Sequence, residues 1–402
     1  MAFASGVQKT VAIAKESSWG VKPAAGSATF IRRASCTLNL SREQFQSNEI
    51  TTTAQTSSVR SGTDTVEGTL SGELSAGSYD TIFSQLLRGP WVTGVSLAAS
   101  TDISASSVDN SLNRTTGSWI TSGIRVGDVI TVGGFASPAT ANNGKTTVIS
   151  VTALKIVVNK TLVTKVAGDS VTVVVAGNKL VIPLTVAARS DDSFTVEESH
   201  ADTGDHYVAT GVKFNTAKIG INPDNMVTAE FGMMGKDQTV SGTAYFTTPA
   251  APSIASCLSS NAGAIFFNGQ QIGVVTTFSF DIDGGMEAGK TVFNQLPDGT
   301  RPAAAIFIGR IGVKGSFSVY MQDRTLFEKA YAENALTIVF RADGDNGDGM
   351  VFKMPKCKVT MPQRTDSEKG GIVQSLDFTA LLPDSTVTDI EQSTLVIQSF
   401  TS

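Results

Sequence analysis

The stretch at 66–87, VEGTLSGELSAGSYDTIFSQLL, alternates apolar and polar residues as far as Leu74 and then changes to helical spacing. Side chains repeat every second residue in a strand and about every 3.6 residues in a helix, so the change of period marks a strand running into a helix. The chain spells this unit twice. VKGSFSVYMQDRTLFEKAYA begins at Val313, so that Val66 matches Val313, Gly68 Gly315, Leu70 Phe317 and Leu74 Met321. Upstream of the first copy, Cys36, Leu38 and Leu40 alternate with Thr37, Asn39 and Ser41. Upstream of the second, Phe278, Phe280 and Ile282 alternate with Ser279, Asp281 and Asp283. Polar loops at 42–62 and 284–302 separate the two strands of each copy.

After the second strand, each copy predicts a short helix that Ser78 or Asp323 can cap. Tyr79, Ile82, Phe83 and Leu86 form the inward face of the first helix, and Leu326, Phe327 and Ala330 that of the second. A hairpin and a further strand come next in both copies, with Glu230-Phe231 set against Asp377-Phe378. The residues between Leu87 and Ser193 interrupt the first copy only. There, short Val/Ile/Thr runs such as GDVITVGGF, KTTVISV and SVTVVVAG are parted by Gly, Asn and Asp turns, the pattern of a small barrel or sandwich. The expected fold is mainly β: two tandem β-sandwich units, each flanked by an α-helix, plus an inserted small β-barrel or sandwich. Unit 1 with an N-terminal arm takes 1–91 and 187–250, the insert 92–186 on an outer face, and unit 2 with a C-terminal arm 251–402.

The charge balance narrows the function. With 31 basic and 36 acidic residues, net charge −5, the chain lacks the basic footprint of a sequence-reading DNA binder. Cys36, Cys257 and Cys357 are widely spaced and form no CxxC, which reads as reduced thiols of a protein made in a cytosol. The opening MAFASGVQKTVAIAKESSWG has no long apolar core, and no stretch reaches the ~18 apolar residues that span a bilayer.

Catalytic vocabulary is sparse. GGMEAGKT satisfies P-loop spacing from Gly284 to Thr291, but a P-loop needs a helix starting at its Lys, and Pro297, Gly299 and Pro302 come too soon after it. DGDNGDG at 343–349 has Gly347 and Asp348 where a calcium loop needs Asp or Asn and then Gly, and reads as a hairpin turn. The only histidines, His200 and His206, share HADTGDH with Asp202 and Asp205. That set can hold a metal in principle but equally describes a solvated turn. A hydrolase triad has almost nothing to be built from, so neither an enzyme, a cofactor nor a metal is expected.

Glu67, Thr69, Ser71 and Glu73 share the polar face of the first long strand; Lys314, Ser316, Ser318 and Tyr320 share that of the second. Exposed sheets with open edges self-associate unless the edges are closed, and a ring of such units would close them. VAIAKESSWGVKPAAGSATFIRRAS, the strand SVRSGTDTVEGTLSGELS and the helix after it resemble the major tail tube proteins of long-tailed, siphovirus-type bacteriophages. The segment from GSWITSGIRVGDVITVGGF to NNGKTTVISV looks like a domain inserted in such proteins.

The resemblance implies a β-sandwich related to type VI secretion tubes, in a virion tail assembled in the bacterial host cytoplasm. Rings of such units stack around a lumen that passes DNA. Thr37, Asn39, Glu67, Thr69, Ser71, Glu73, Ser279, Asp281, Lys314, Ser316, Ser318 and Tyr320 would line it. If a ring needs six units, three chains close it with pseudo-sixfold symmetry; a hexamer of chains is the alternative. Tape measure protein and genomic DNA in the lumen, tail terminator and distal tail proteins at the ends, and no membrane, complete the expected partners. A tail-tip or carbohydrate-binding protein is the competing reading, although the insert has few aromatics besides Trp91, Trp119 and Phe135.

Overall fold

The computed structural model describes residues 3–50, 52–272, 274–292, 295–296, 299–366 and 370–401. In the first repeat the alternating segments become β1 (Lys9–Lys15), β2 (Ser35–Gln46) and β3 (Val59–Glu73), succeeded by α1 (Asp80–Leu87). After the interruption come β4 (Phe194–His200), β5 (Asp205–Ile221), β6 (Thr228–Gly235) and β7 (Asp237–Ser241). The second repeat supplies β8 (Val275–Asp283), β9 (Gly312–Tyr320), α2 (Thr325–Tyr331), β10 (Leu336–Asp343) and β11 (Gly349–Val359). It ends with β12 (Gln363–Thr365), β13 (Val373–Ala380) and β14 (Val396–Phe400).

One antiparallel run, β2-β3-β6-β5-β8-β9-β13, crosses both repeats, with β12 and the end of β11 on the far side of β13. The repeats match down to their irregularities. Register slips between Phe194↔Val212 and Val196↔Ala209 in the β4–β5 hairpin, and between Leu336↔Cys357 and Ile338↔Met354 in β10–β11. A second slip lies at Asn215 of β5, before Thr216↔Gly232; its counterpart falls between Val359↔Phe378 and Gln363↔Ser375. Each slip is an extra residue that bends its strand and re-aims the residues beyond it.

The pairing corrects one match made from sequence. Phe231 lies opposite Leu70, and Leu376 lies opposite Phe317, so Phe231 corresponds to Leu376 and not to Phe378. Period-two alternation looks the same after a shift of two residues, so it does not distinguish the two registers.

The predicted loop at 42–62 is largely ribbon: β2 continues to Gln46 and β3 begins at Val59. The hydroxyls of Ser41 and Thr65 meet at 2.7 Å, and Arg42 grips the buried Asp64 carboxylate through Nε and Nη2. At 284–302, Glu287–Gly289 pairs with Ala305–Phe307, while Pro297 lies outside the described residues. Asp64 joins the two regions, since its carboxylate accepts from the Arg301 amide at 2.8 Å and its amide donates to the Arg301 carbonyl.

The helices diverge. Tyr79, Ile82, Phe83 and Leu86 of the first are buried, and Phe83 packs edge-on against Phe231 (5.4 Å) and Phe352 of the other repeat (6.0 Å). In α2 only Ala330 is buried, and Phe327, expected inside, is 44% exposed. Ser78 does not cap α1, because its hydroxyl pairs with that of Ser75 at 2.6 Å; Asp323 does accept the Thr325 amide at 2.8 Å.

The residues from 96 to 175 form their own seven-stranded sheet over a core containing Trp119, Ile130, Val148, Ile156 and Val173. Val129 and Ala176 pack on Phe266, Val339, Val351 and Phe400 of the second repeat. The Gln398 side-chain amide on β14 accepts from Val129 N and donates to the carbonyls of Val129 and Ala176 at 2.7–2.9 Å. Beside it, Asp128 is fully buried between the ammonium groups of Lys353 and Lys179. Burial alone would raise the Asp128 pKa, but the two cations outweigh it and hold the carboxyl below its usual range.

Replacing Asp128 with Asn leaves two cations facing a neutral group, so D128N should lose about 3–5 kcal/mol in urea unfolding. The wild-type contribution is present above the unfolded carboxylate pKa of about 4 and disappears as pH falls through the lower folded value. The stability gap between wild type and D128N should therefore shrink below about pH 4.

Candidate functional site on the polar face of the shared sheet

The run, with β12 as its eighth strand, is two-faced because each strand alternates. Leu38, Leu70, Phe231, Ala217, Phe280, Val313 and Leu376 point into the common core. On the other face the cross-strand pairs are Thr37↔Thr69, Asn39↔Glu67, Ser71↔Glu230, Glu73↔Thr228, Ser279↔Ser316 and Ser318↔Ser375. Asp281 and Tyr320 occupy the same face through Asp281↔Lys314 and Tyr320↔Val373. All twelve residues singled out from the sequence thus lie on one side of one sheet.

Several of these hydroxyls satisfy each other. Ser35 and Ser71 meet at 2.7 Å, Thr37 and Thr69 at 3.5 Å, Ser279 and Ser316 at 3.2 Å, and Ser318 and Ser375 at 2.8 Å. Short side chains held to one another offer a passing molecule few free donors. Sequence reasoning missed Thr216, Lys218, Thr228, Glu230, Ser375, Asp377 and Thr379, which share the face. Their signal was the same alternation in FNTAKIGI, TAEFGMMG and QSLDFTAL.

The charges on this face are ordered. Lys218 stands between Glu230 on β6 and Asp281 on β8, and Asp281 in turn faces Lys314 on β9. Opposite charges directly across neighbouring strands stabilise the sheet modestly and cancel each other's field. Glu67, Glu73, Asp283 and Asp377 add carboxylates on this face, which therefore carries a negative balance.

The motifs set aside from the sequence have ordinary structural places. Lys290 of GGMEAGKT reaches Glu43 at 3.2 Å, and the segment contains the short strand Glu287–Gly289 instead of a helix start. DGDNGDG is the turn between β10 and β11. In HADTGDH, His206 Nδ1 meets the Ser199 hydroxyl at 2.8 Å, and among the described residues no group of three His, Cys, Asp or Glu side chains is arranged to hold a metal. Burial pushes the thiols of Cys36 and Cys357 up to about 12. No described helix is long and apolar enough to cross a membrane.

The chain is thus mainly antiparallel, with a duplicated sheet lined by hydroxyls on one face. The family model described as "Phage tail tube protein" matches residues 6–380, and the chain belongs to that family, as a component of the virion tail. No curated protein matches the chain.

Gly68 and Gly315 occupy matching positions in the two repeats, where the neighbouring strand lies too close for a side chain. A Cβ at Gly68 would lie 1.8 Å from the Thr37 carbonyl oxygen, and one at Gly315 would lie 2.4 Å from that of Ser279. G68V and G315V should each lower stability by roughly 2 kcal/mol or more in chemical unfolding, as overpacked sites do.

Proposed function

We propose that the chain closes into rings that stack as the tail tube, with the hydroxyl-rich face lining a channel through which genomic DNA leaves. The observation that carries this reading is the unbroken antiparallel run across both repeats, apolar on one face and polar on the other, in a tail tube family member. Three chains, each contributing two repeats, make a pseudo-sixfold ring of ~24 strands. At ~4.8 Å per strand and ~40° tilt its backbone circle is roughly 48 Å across, and side chains leave room for a duplex.

Each contact between a phosphate and a Lys or Arg adds affinity and slows transport, so a conduit does best with paired hydroxyls and a negative balance. Thr37, Asn39, Glu67, Thr69, Ser71, Glu73, Ser279, Asp281, Lys314, Ser316, Ser318 and Tyr320 line the channel in this reading. Thr216, Lys218, Thr228, Glu230, Ser375, Asp377 and Thr379 join them. Lys218 and Lys314 stand across from Glu230 and Asp281, whose carboxylates offset their charge. The hairpins at 42–62 and 284–302, tied together at Asp64 and Arg301, make the contact with the next ring. Tape measure protein occupies the channel before DNA, and terminator and distal tail proteins close its ends after assembly in the host cytoplasm.

Symmetry averaging of tube images should give three identical chains per ring; six identical chains would reject the trimer. E67K/E73K virions should eject DNA more slowly than wild type, by a margin that narrows with added salt. An unchanged ejection rate would count against the repulsion mechanism.

A further inference from the structure

Inside the chain, the repeats are joined where β5 pairs with β8, from Thr216↔Asp283 to Ile221↔Phe278. The matched registers give each side of this seam a counterpart. Asn39 and Thr37 of β2 stand for Asp281 and Ser279 of β8, since Asn39 faces Glu67 as Asp281 faces Lys314. Gln363 and Thr365 of β12 stand for Lys218 and Gly220 of β5, since Gln363 faces Ser375 as Lys218 faces Glu230. Among the described residues, β2 has β3 as its one strand partner and β12 has β13.

The outer edge of β2 is nevertheless occupied. Lys9 Nζ donates to the Cys36 carbonyl at 2.7 Å, and Gln238 Nε2 donates to the Leu38 carbonyl at 2.8 Å. Gln238 Oε1 accepts the Leu40 amide at 3.0 Å. The counterparts Phe278, Phe280 and Ile282 face Ile221, Ile219 and Ala217 across the inner seam. Side chains stand on β2 where a strand stands on β8.

We infer that the β2 edge receives β12 from a second copy of this chain, and that Gln238 and Lys9 are placeholders displaced by the incoming strand. This rests on the ring reading above and names its seam. The helices supply an independent observation. Phe83 of α1 is covered by Phe352 of the other repeat, whereas Phe327 and Tyr331 of α2 stack on each other at 6.1 Å and stay 44% and 77% exposed. A neighbour's first repeat at the seam covers α2 as the second repeat covers α1.

The outer seam is also more polar than the inner one. The Lys218–Asp281 pair becomes Gln363–Asn39, and the core-side Ile219 and Ile221 become Arg364 and Asp366. An edge of this kind, capped and flanked by charge, lets a folded chain stay separate until a ring forms.

Leu38 and Leu40 carry the edge groups, so the Asn39–Gln363 pair falls between hydrogen-bonded pairs, where Cα atoms approach to ~4.5 Å, within disulfide reach. Oxidised assemblies of the N39C/Q363C variant should run on non-reducing gels as dimers and closed trimers, while wild type and either single variant run as monomers. Tubes visible by electron microscopy without that cross-link overturn the seam. Wild-type chains that form no rings or tubes under the same conditions overturn the ring reading itself. Q238A, which removes both hydrogen bonds to the β2 edge, should assemble at least about threefold faster in light scattering below its unfolding transition, a ratio that even one net hydrogen bond represents. An unchanged or slower rate overturns the placeholder role.

Discussion

The backbone pairing of β5 is the constraint on which the rest of this molecule depends. Its first half pairs with β4 and β7 in an outer layer, and its second half pairs with β6 and β8 in the two-faced inner sheet. A strand can change layers only if its hydrogen-bonding direction is re-aimed, and the extra residues near Gly211 and at Asn215 do that. Glu16 fixes the first of these bends: its buried carboxylate accepts from the Gly211 amide and from the hydroxyls of Ser193 and Thr195. With β5 bent this way, α1 is enclosed between layers and the two repeats share one core.

Strong interactions are distributed unevenly. The apolar side of the inner sheet holds tightly packed rings, among them Phe278 stacked on Phe378 at 5.9 Å and Phe340 on Phe352 at 5.9 Å. The side presented outward has only short hydroxyl contacts and exposed, mutually opposed charges, which contribute little to stability. The polar face thus carries little of the chain's stability. The inserted sheet is held differently, through a buried charge cluster at Asp128 and the Gln398 amide, where losing one partner leaves a buried charge uncompensated.

Much of this was legible in the linear order of residues. Alternation placed all twelve polar positions on one face, because a strand's side-chain direction is a local property of its backbone. Matching glycines, Gly68 and Gly315, marked equivalent points of the duplication before any pairing was known. The misreadings have a common origin. Periodicity sets Phe231 against Phe378, reads polar ribbon as loop at 42–62 and turns Phe327 inward, each time because the deciding partner lies far away in the chain. The polar strand at 42–46 carries one apolar residue, Phe45, too few for a period-two signal, so only the ladder from Ser41↔Thr65 to Gln46↔Val59 reveals it.

The sequence by itself determined the local facts: which alternating segments are strands, which face of each is polar, and that the unit is spelled twice. These come from period, composition and spacing, which act over a few residues. Only the tertiary structure decided that β5 meets β8, that bulges recur at the same places in both repeats, and that Gln238 closes the edge of β2. Those outcomes depend on hydrogen bonds and packing between residues far apart in the chain, and no local pattern encodes which distant partner a backbone edge will find.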